Sequence, residues 1–172
     1  MVGLCIKHQH ENYGGILQAF ATATYFENQQ IEYELIRYIR KKTIVETLKD
    51  LPRLLNLVWL NSRYEGVQRK LSLKIHPEYA KNNEIRMQAF ARFKEWAFHK
   101  YSDEYVGYAE LCEEGKKYSA LITGSDQLWS PAGLPTNYYN LMFAPDATLK
   151  ISIASSFGVK DIPWYQKKRT AQ

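Results

Sequence analysis

Groups able to do chemistry are concentrated in residues 124–131, which read GSDQLWSP. The small, polar and aromatic residues of this segment are Gly124, Ser125, Asp126, Gln127 and Trp129. The Asp126 carboxylate can accept a proton or hold a sugar hydroxyl, and the Trp129 indole can stack on a sugar ring. The alternative is structural, because Ser and Asp are common helix N-caps and a tryptophan often belongs to the core. Spacing alone leaves both interpretations open.

A second candidate loop, residues 8–15, reads HQHENYGG and follows the apolar run VGLCI. Gly14 and Gly15 allow close approach of the backbone to a ligand, and amides at a helix N-terminus attract anions. The full GxGxxG pattern is missing, so a plain tight turn is an equal alternative. His8 and His10 have no third metal ligand nearby, and we therefore expect solvated histidines rather than a zinc site.

A third loop, residues 154–158, reads ASSFG and offers the hydroxyls of Ser155 and Ser156. The sequence has no Ser-His-Asp order and no Walker, HExxH or CxxC motif, which argues against a hydrolase and against a P-loop protein. Cys5 and Cys112 are the only cysteines, too few for a disulfide scaffold or a metal knuckle. We expect both thiols to be reduced and buried, and we predict no metal.

The elements that must position these loops alternate between strands and helices. VGLCI predicts a strand, residues 15–28 a helix and Tyr33–Ile39 a second strand, which together form one right-handed βαβ unit. Further along, the patterns predict a helical stretch over about 41–76 that Pro52 kinks or interrupts, helices over 83–100 and 108–117, strands over 120–123 and 150–155, and a last helix from Pro163. These elements predict an α/β fold, a single Rossmann-like domain over residues 1–172 with a parallel sheet and a helical insertion at about 41–83.

Composition fits a folded protein, since 45% of the 172 residues are hydrophobic and 24% are charged. The longest apolar stretch, LLNLVWL at 54–60, is far shorter than the about 20 residues of a membrane span. It is either helical core or a peripheral contact with a membrane or partner. With no secretory signal pattern, we expect a cytoplasmic protein, at most associated with the inner face of the cell membrane.

The net charge of +5 is unevenly distributed along the chain. Four basic residues and one acidic residue follow residue 159, so the remainder is close to neutral. Binding to a phosphate backbone requires a continuous basic surface. We therefore expect no nucleic-acid partner.

Taken together, three segments resemble the polysaccharide pyruvyl transferase family. They are NYGGILQ at 12–18, GSDQLWSP at 124–131 and KISIASSFG at 150–158, similar in order and spacing to the family patterns NYGaxLQ, GSDQxWnP and KisYAaSFG. The GSDQxW match is the most specific. Gly15, Ser130 and Ile153 are mild departures from those patterns.

The resemblance implies transfer of a pyruvyl group from phosphoenolpyruvate to a sugar hydroxyl, without a further cofactor. The acceptor would be a cell-surface polysaccharide or exopolysaccharide, or its lipid-linked oligosaccharide precursor. The family fold is similar to two-domain GT-B glycosyltransferases, so we expect a second Rossmann-like half, in cis or in trans, to carry the donor site. This chain, resembling the N-terminal half, is not expected to turn over alone.

On the same resemblance, this half supplies the acceptor side, with Asp126 orienting or deprotonating a hydroxyl. The substrate-binding residues that it implies are Asn12, Tyr13, Gly14, Gly15, Gln18, Gly124, Ser125, Gln127, Trp129, Ser155 and Ser156. An alternative is a noncatalytic α/β module of the same ancestry that binds a saccharide or a partner protein.

Overall fold

The computed structural model describes residues 1–41, 57–130 and 136–162, together with 164, 167 and 168. Within these residues, five parallel strands form one sheet with the order β3-β2-β1-β4-β5. The strands are β1 (Val2–Cys5), β2 (Tyr33–Ile39), β3 (Tyr101–Val106), β4 (Ala120–Asp126) and β5 (Leu149–Ser155). This sheet, with helices between its strands, confirms the predicted Rossmann-like α/β fold.

The strand order places a topological switch point between β1 and β4. These two strands are neighbours, with Cys5 aligned to Thr123, but the chain leaves β1 toward β2 and leaves β4 toward β5. In open α/β sheets, ligands bind at the carboxyl ends of the strands that flank such a point. The loops after β1 and β4 both begin there.

The first helix, α1 (Tyr13–Asn28), begins two residues earlier than predicted. Asn12 is its N-cap, and the Asn12 Oδ1 atom accepts the backbone N–H of Gly15 at 2.9 Å. This bond satisfies one of the amides that a helix start leaves unpaired, and thereby extends the helix toward the loop. The buried face of α1 comprises Gly15, Ile16, Ala19, Ala23 and Phe26.

The apolar core contains residues from four strands, from helix α4 and from the segment before β5. Its members are Cys5, Ile36, Tyr105, Leu111, Tyr118, Leu121, Tyr138, Leu141, Phe143 and Ala144. The Tyr138 hydroxyl donates to the Ile36 carbonyl at 2.8 Å, which ties residues 136–144 to β2. Both cysteines are free as predicted, but only Cys5 is buried, since Cys112 is half-exposed on the helix α4.

Residues Lys42–Glu95 form a second compact unit, separate from the unit of Met1–Lys41 and Trp96–Gln172. It contains α2 (Leu57–Ile75) and most of α3 (Pro77–Ala97). The helix predicted over 83–100 therefore starts earlier, at a proline, a residue well suited to the first helical position. The predicted break at Pro52 and most of the helix predicted from Pro163 lie outside the described residues.

Two short elements follow the strand β3. They are α4 (Tyr108–Glu114) and a 3₁₀ turn over Gly115–Lys117, which together cover the weak helix predicted at 108–117. The strand β3 itself was not predicted, because its sequence YSDEYV carries two acids that interrupt the apolar pattern. As the edge of the sheet, it can expose such residues.

No helix in the described part of the chain is sufficiently long and apolar to cross a membrane.

Candidate functional site

The three candidate loops start at one edge of the sheet. They follow β1, β4 and β5, which are consecutive neighbours in the sheet and run in the same direction. The last aligned pair of β4 and β5 is Asp126 with Ser155. Since the carboxyl ends of parallel strands meet at the same edge, the predicted residues of all three loops belong to one crevice region.

In the first loop, several predicted ligand-binding residues also have structural roles. Asn12 caps α1, and a Cβ atom at Gly15 would lie 3.3 Å from the Cβ of Lys7, so Gly15 permits close packing of the helix on the loop. Tyr13 differs, since 63% of its side chain is exposed. Gly14 is exposed as well, and a Cβ atom there would lie at an ordinary contact distance of 3.5 Å from Asn12 Oδ1. The tight-turn interpretation therefore accounts for Asn12 and Gly15 but not for Tyr13.

The prediction of two solvated histidines is wrong for His8. This residue is only 2% exposed, and its Nδ1 atom lies 3.1 Å from the Ile6 carbonyl oxygen. Its ring packs against Phe98 and Tyr101, with centroids 6.4 and 5.7 Å away. His10 is exposed, as predicted. His8 is buried because the rings of Phe98 and Tyr101, just before β3 and at its start, pack against it.

Within α1, the half-buried Gln18 forms a hydrogen bond one turn along the helix. Its Nε2 atom donates to Thr22 Oγ1 at 3.0 Å. The Gln18 Oε1 atom is buried and has no hydrogen-bond partner in the described structure. Buried oxygens without partners are uncommon in folded proteins and call for an explanation, such as a bound ligand.

The loop predicted to begin at Gly124 is in fact the last part of a strand. The strand β4 continues to Asp126, and its backbone pairs with β5 as far as Ser155. Gly124 has a φ of +146°, and a Cβ atom there would collide with the Ile153 carbonyl oxygen. Only glycine fits, which is a structural reason for the first residue of the GSDQ motif. The side chains of Ser125 and Asp126 lie outside the described part of the structure, so their predicted roles stay predictions.

After β4, Trp129 is fixed by three interactions. Its backbone N–H donates to the Ser156 carbonyl at 3.1 Å, and its Nε1 donates to the Tyr139 carbonyl at 3.3 Å. Its ring meets Phe157 edge to face, with centroids 6.0 Å apart. Trp129 is half-buried, so it is partly core and partly surface. The same contacts join the loops after β4 and β5.

The third loop has an unusual backbone. Ala154 has a φ of +51° and Gly158 a φ of +68°. A Cβ atom at Gly158 would lie 2.5 Å from the side chain of Gln127, so this glycine allows the two loops to pack closely. Ser156 is exposed, whereas the Ser155 Oγ atom is buried and lacks a hydrogen-bond partner in the described structure. Positive φ angles in residues other than glycine and buried polar atoms without partners concentrate at functional sites.

All described side chains predicted for this site are uncharged. They are Asn12, Tyr13, Gln18, Gln127, Trp129, Ser155 and Ser156. Hydroxyl, amide and aromatic groups suit a polyhydroxylated ligand, whereas a multiply charged anion requires cations. No group of three or more metal-ligating residues occurs in the described part of the chain.

A family model described as polysaccharide pyruvyl transferase matches residues 12–171, nearly the whole chain. The chain belongs to the polysaccharide pyruvyl transferase family. No curated protein and no solved structure matches it. The match includes residues 12–15 of the first loop and the whole of the other two loops. The name of the family implies a transferase, and it implies that the acceptor is a saccharide.

Two contacts of predicted site residues and the burial of His8 were not predicted from the sequence. Phe157 packs on Trp129, Thr22 binds the Gln18 side chain, and His8 is buried in the loop after β1. The spacing of Gln18 and Thr22 was a usable signal, because residues four apart on a helix are neighbours. The contacts of His8 and Phe157 are between distant segments, and no local pattern announces them.

Proposed function

We propose that this chain forms the acceptor-binding side of a pyruvyl transferase that uses phosphoenolpyruvate as donor. Its product is a pyruvate ketal on a cell-surface polysaccharide or exopolysaccharide, or on a lipid-linked precursor. The observation that carries the proposal is the convergence of three family motifs on the carboxyl ends of β1, β4 and β5, at the switch point of the sheet.

The proposed reaction joins two hydroxyls of one sugar to C2 of phosphoenolpyruvate. Two C–O bonds form at C2, its bond to the phosphate oxygen breaks, and its double bond to the methylene carbon is protonated. One hydroxyl proton ends on the new methyl group and the other on inorganic phosphate, so the reaction needs no oxidant or reductant. We assign Asp126 as the group that orients a hydroxyl or accepts its proton.

The uncharged side chains among the predicted site residues support the acceptor role. Phosphoenolpyruvate carries a phosphate and a carboxylate, and its recognition calls for arginine or lysine clamps. The predicted site side chains that the structure describes include neither arginine nor lysine. We therefore assign the donor site to a second Rossmann-like half, in cis or in trans, and the reaction to the cytoplasm or the inner face of the cell membrane.

Release of phosphate from phosphoenolpyruvate, in the presence of pooled bacterial saccharides, tests this function. We expect no release by this chain alone and release when a candidate C-terminal half is added. Activity of the chain alone would overturn the two-half arrangement. Saccharide binding without activity in either sample would instead favour a noncatalytic module.

A matched pair of variants tests the role of Asp126 in the active mixture. We expect Asp126→Asn to lower the rate by at least about 100-fold, as the loss of a general base does. Asp146→Asn is the control, since this carboxylate is exposed near the start of β5, 3.7 Å from Lys150 Nζ. Equal rates for both variants would remove Asp126 from the mechanism.

A further inference from the structure

Gln18 and Thr22 form a pair of hydrogen bonds that determines which way the Gln18 amide points. The Thr22 hydroxyl donates to the backbone carbonyl of Gln18 at 2.9 Å, a bond common for threonine within helices. A hydroxyl has a single hydrogen, which this bond uses. Thr22 Oγ1 can therefore only accept from the Gln18 side chain, 3.0 Å away.

The group that donates to Thr22 must be the NH₂ of Gln18, because the amide oxygen has no hydrogen to give. The two ends of an amide are often hard to distinguish, and this assignment is the one in which the Thr22 hydroxyl donates to the Gln18 backbone carbonyl. Gln18 Oε1 is consequently turned away from Thr22. This oxygen is buried and has no hydrogen-bond partner in the described structure.

We propose that Gln18 Oε1 accepts a hydrogen bond from one hydroxyl of the saccharide acceptor, and that Thr22 is the positioning residue that holds the amide in this orientation. The inference rests on the proposed function and deepens it. Gln18 is half-buried on the second turn of α1, the helix that starts at the crevice loop. Nearby atoms cover Oε1, so the hydroxyl reaches it only when they move, and the bond then forms away from competing water.

The orientation selects the chemistry of the ligand. An amide oxygen accepts hydrogen bonds and repels phosphate and carboxylate oxygens, so this position favours a sugar hydroxyl over phosphoenolpyruvate. A site built to bind a hydroxyl also discriminates against an analogue that lacks it, since the buried oxygen is then left unpaired. Thr22 thus acts on acceptor specificity without touching the acceptor.

The test compares Thr22→Val, which keeps the shape but loses the hydroxyl, with Thr22→Ser, which keeps the hydroxyl. Dissociation constants are measured by calorimetry on the full chain with the methyl glycosides of glucose, galactose, mannose and N-acetylmannosamine. The monodeoxy analogues of the tightest ligand follow. Thermal unfolding of each variant verifies that it is folded.

For the wild type, we expect one monodeoxy analogue to bind about three- to tenfold more weakly than its parent, the loss of one hydrogen bond. Thr22→Val should weaken the parent by about the same factor and remove the difference between parent and analogue, because the two changes delete one interaction. Thr22→Ser should behave as the wild type. Gln18→Met, which deletes the amide oxygen directly, should reproduce the Thr22→Val result.

The possible failures are distinguishable. If the wild type binds a glycoside but Thr22→Val and Gln18→Met keep its full affinity, the inference is wrong and the proposed function stands. Additive losses for the variant and the deoxy analogue would also overturn it, because they would indicate a general loss of structure. If the wild type binds none of the glycosides, both the inference and the proposed acceptor side fail.

Discussion

The two ends of the central sheet differ in whether their polar side chains have hydrogen-bond partners. At the amino end, the Tyr118 hydroxyl donates to Glu34 Oε2 at 2.9 Å, and Lys117 Nζ lies 3.1 Å from the same oxygen. The Tyr105 side chain, which starts near the end of β3, brings its hydroxyl to 3.1 Å from that of Tyr118 and completes the network. At the carboxyl end, by contrast, two predicted site residues bury oxygens that have no partner in the described structure, Gln18 and Ser155.

Unusual backbone angles also occur at the carboxyl end, although they are not confined to it, since Gln30 before β2 has a φ of +57°. Gly124, Ala154 and Gly158, all at the carboxyl ends of β4 and β5, have positive φ angles, which cost energy for most residues. A satisfied polar network stabilises the fold, whereas unpaired oxygens and unfavourable backbone angles reduce stability and persist where a function needs them. The comparison teaches that polar contacts at the amino end stabilise the fold, whereas the unpaired oxygens at the carboxyl end are the groups to which we assign binding.

The largest effect is expected from alkaline pH, which acts on the amino end. Burial raises the pKa of Tyr33 and of Tyr118, and hydrogen bonds to Glu27 and Glu34 raise both further. Because each folded-state pKa exceeds the unfolded value near 10, the stabilisation is complete below pH 10 and is lost as the pH rises above it. Each tyrosine then costs about 1.4 kcal/mol of folding free energy by pH 11.

Urea unfolding at pH 8, 10 and 11 measures this loss, with tyrosinate absorbance recorded in parallel. Burial also raises the pKa of the Cys5 thiol, the last residue of β1, so a smaller part of the loss in the same direction comes from the carboxyl end. We expect tyrosinate from the buried tyrosines to appear only as the chain unfolds. Its full appearance in the folded protein would contradict the role assigned to the amino-end network.

Substitution of Gly124 is expected to have the next largest effect, at the carboxyl end. Gly124→Ala combines a φ of +146° with a collision against the Ile153 carbonyl oxygen, so the free energy of unfolding should fall by about 3 kcal/mol. Gly14→Ala is the control, because its nearest neighbour, Asn12 Oδ1, lies at an ordinary 3.5 Å. Urea denaturation followed by circular dichroism compares them; equal stabilities would show that β4 and β5 do not need glycine here.

The substitution Tyr118→Phe tests whether the amino-end network contributes to stability and not to binding. It deletes one hydroxyl from a satisfied network, and we expect the free energy of unfolding to fall by about 1–2 kcal/mol with saccharide binding unchanged. Tyr25→Phe, at an exposed position, should leave stability unchanged. A Tyr118→Phe protein that is fully stable but binds saccharide poorly would reverse the roles of the two ends.

The smallest effect on stability is expected for Ser155→Ala at the carboxyl end. The Ser155 hydroxyl is buried without a partner in the described structure, so its removal should change the free energy of unfolding by less than about 0.5 kcal/mol. Saccharide affinity should fall about threefold or more if the hydroxyl binds ligand. Chemical denaturation and calorimetry give the two values, and a stability loss above about 1 kcal/mol with unchanged affinity would refute the binding role.

Elements with a local pattern were predictable from the sequence. The strand β2 has the predicted bounds, and α1 ends where the helical pattern ends. The strand β3 was missed because edge strands tolerate charges such as those of Asp103 and Glu104. The extension of β4 through Gly124 to Asp126 was missed because glycine usually ends a strand, whereas here it permits contact with β5.

For the candidate site, the sequence by itself determined the family and the residue types of the predicted site, because motifs are local and their order survives in the chain. Only the tertiary structure decided that β1, β4 and β5 are neighbours, that His8 is buried and that Gln18 Oε1 has no partner in the described structure. These facts depend on contacts between residues far apart in the chain. Such contacts are set by packing, and no spacing rule within one segment encodes them.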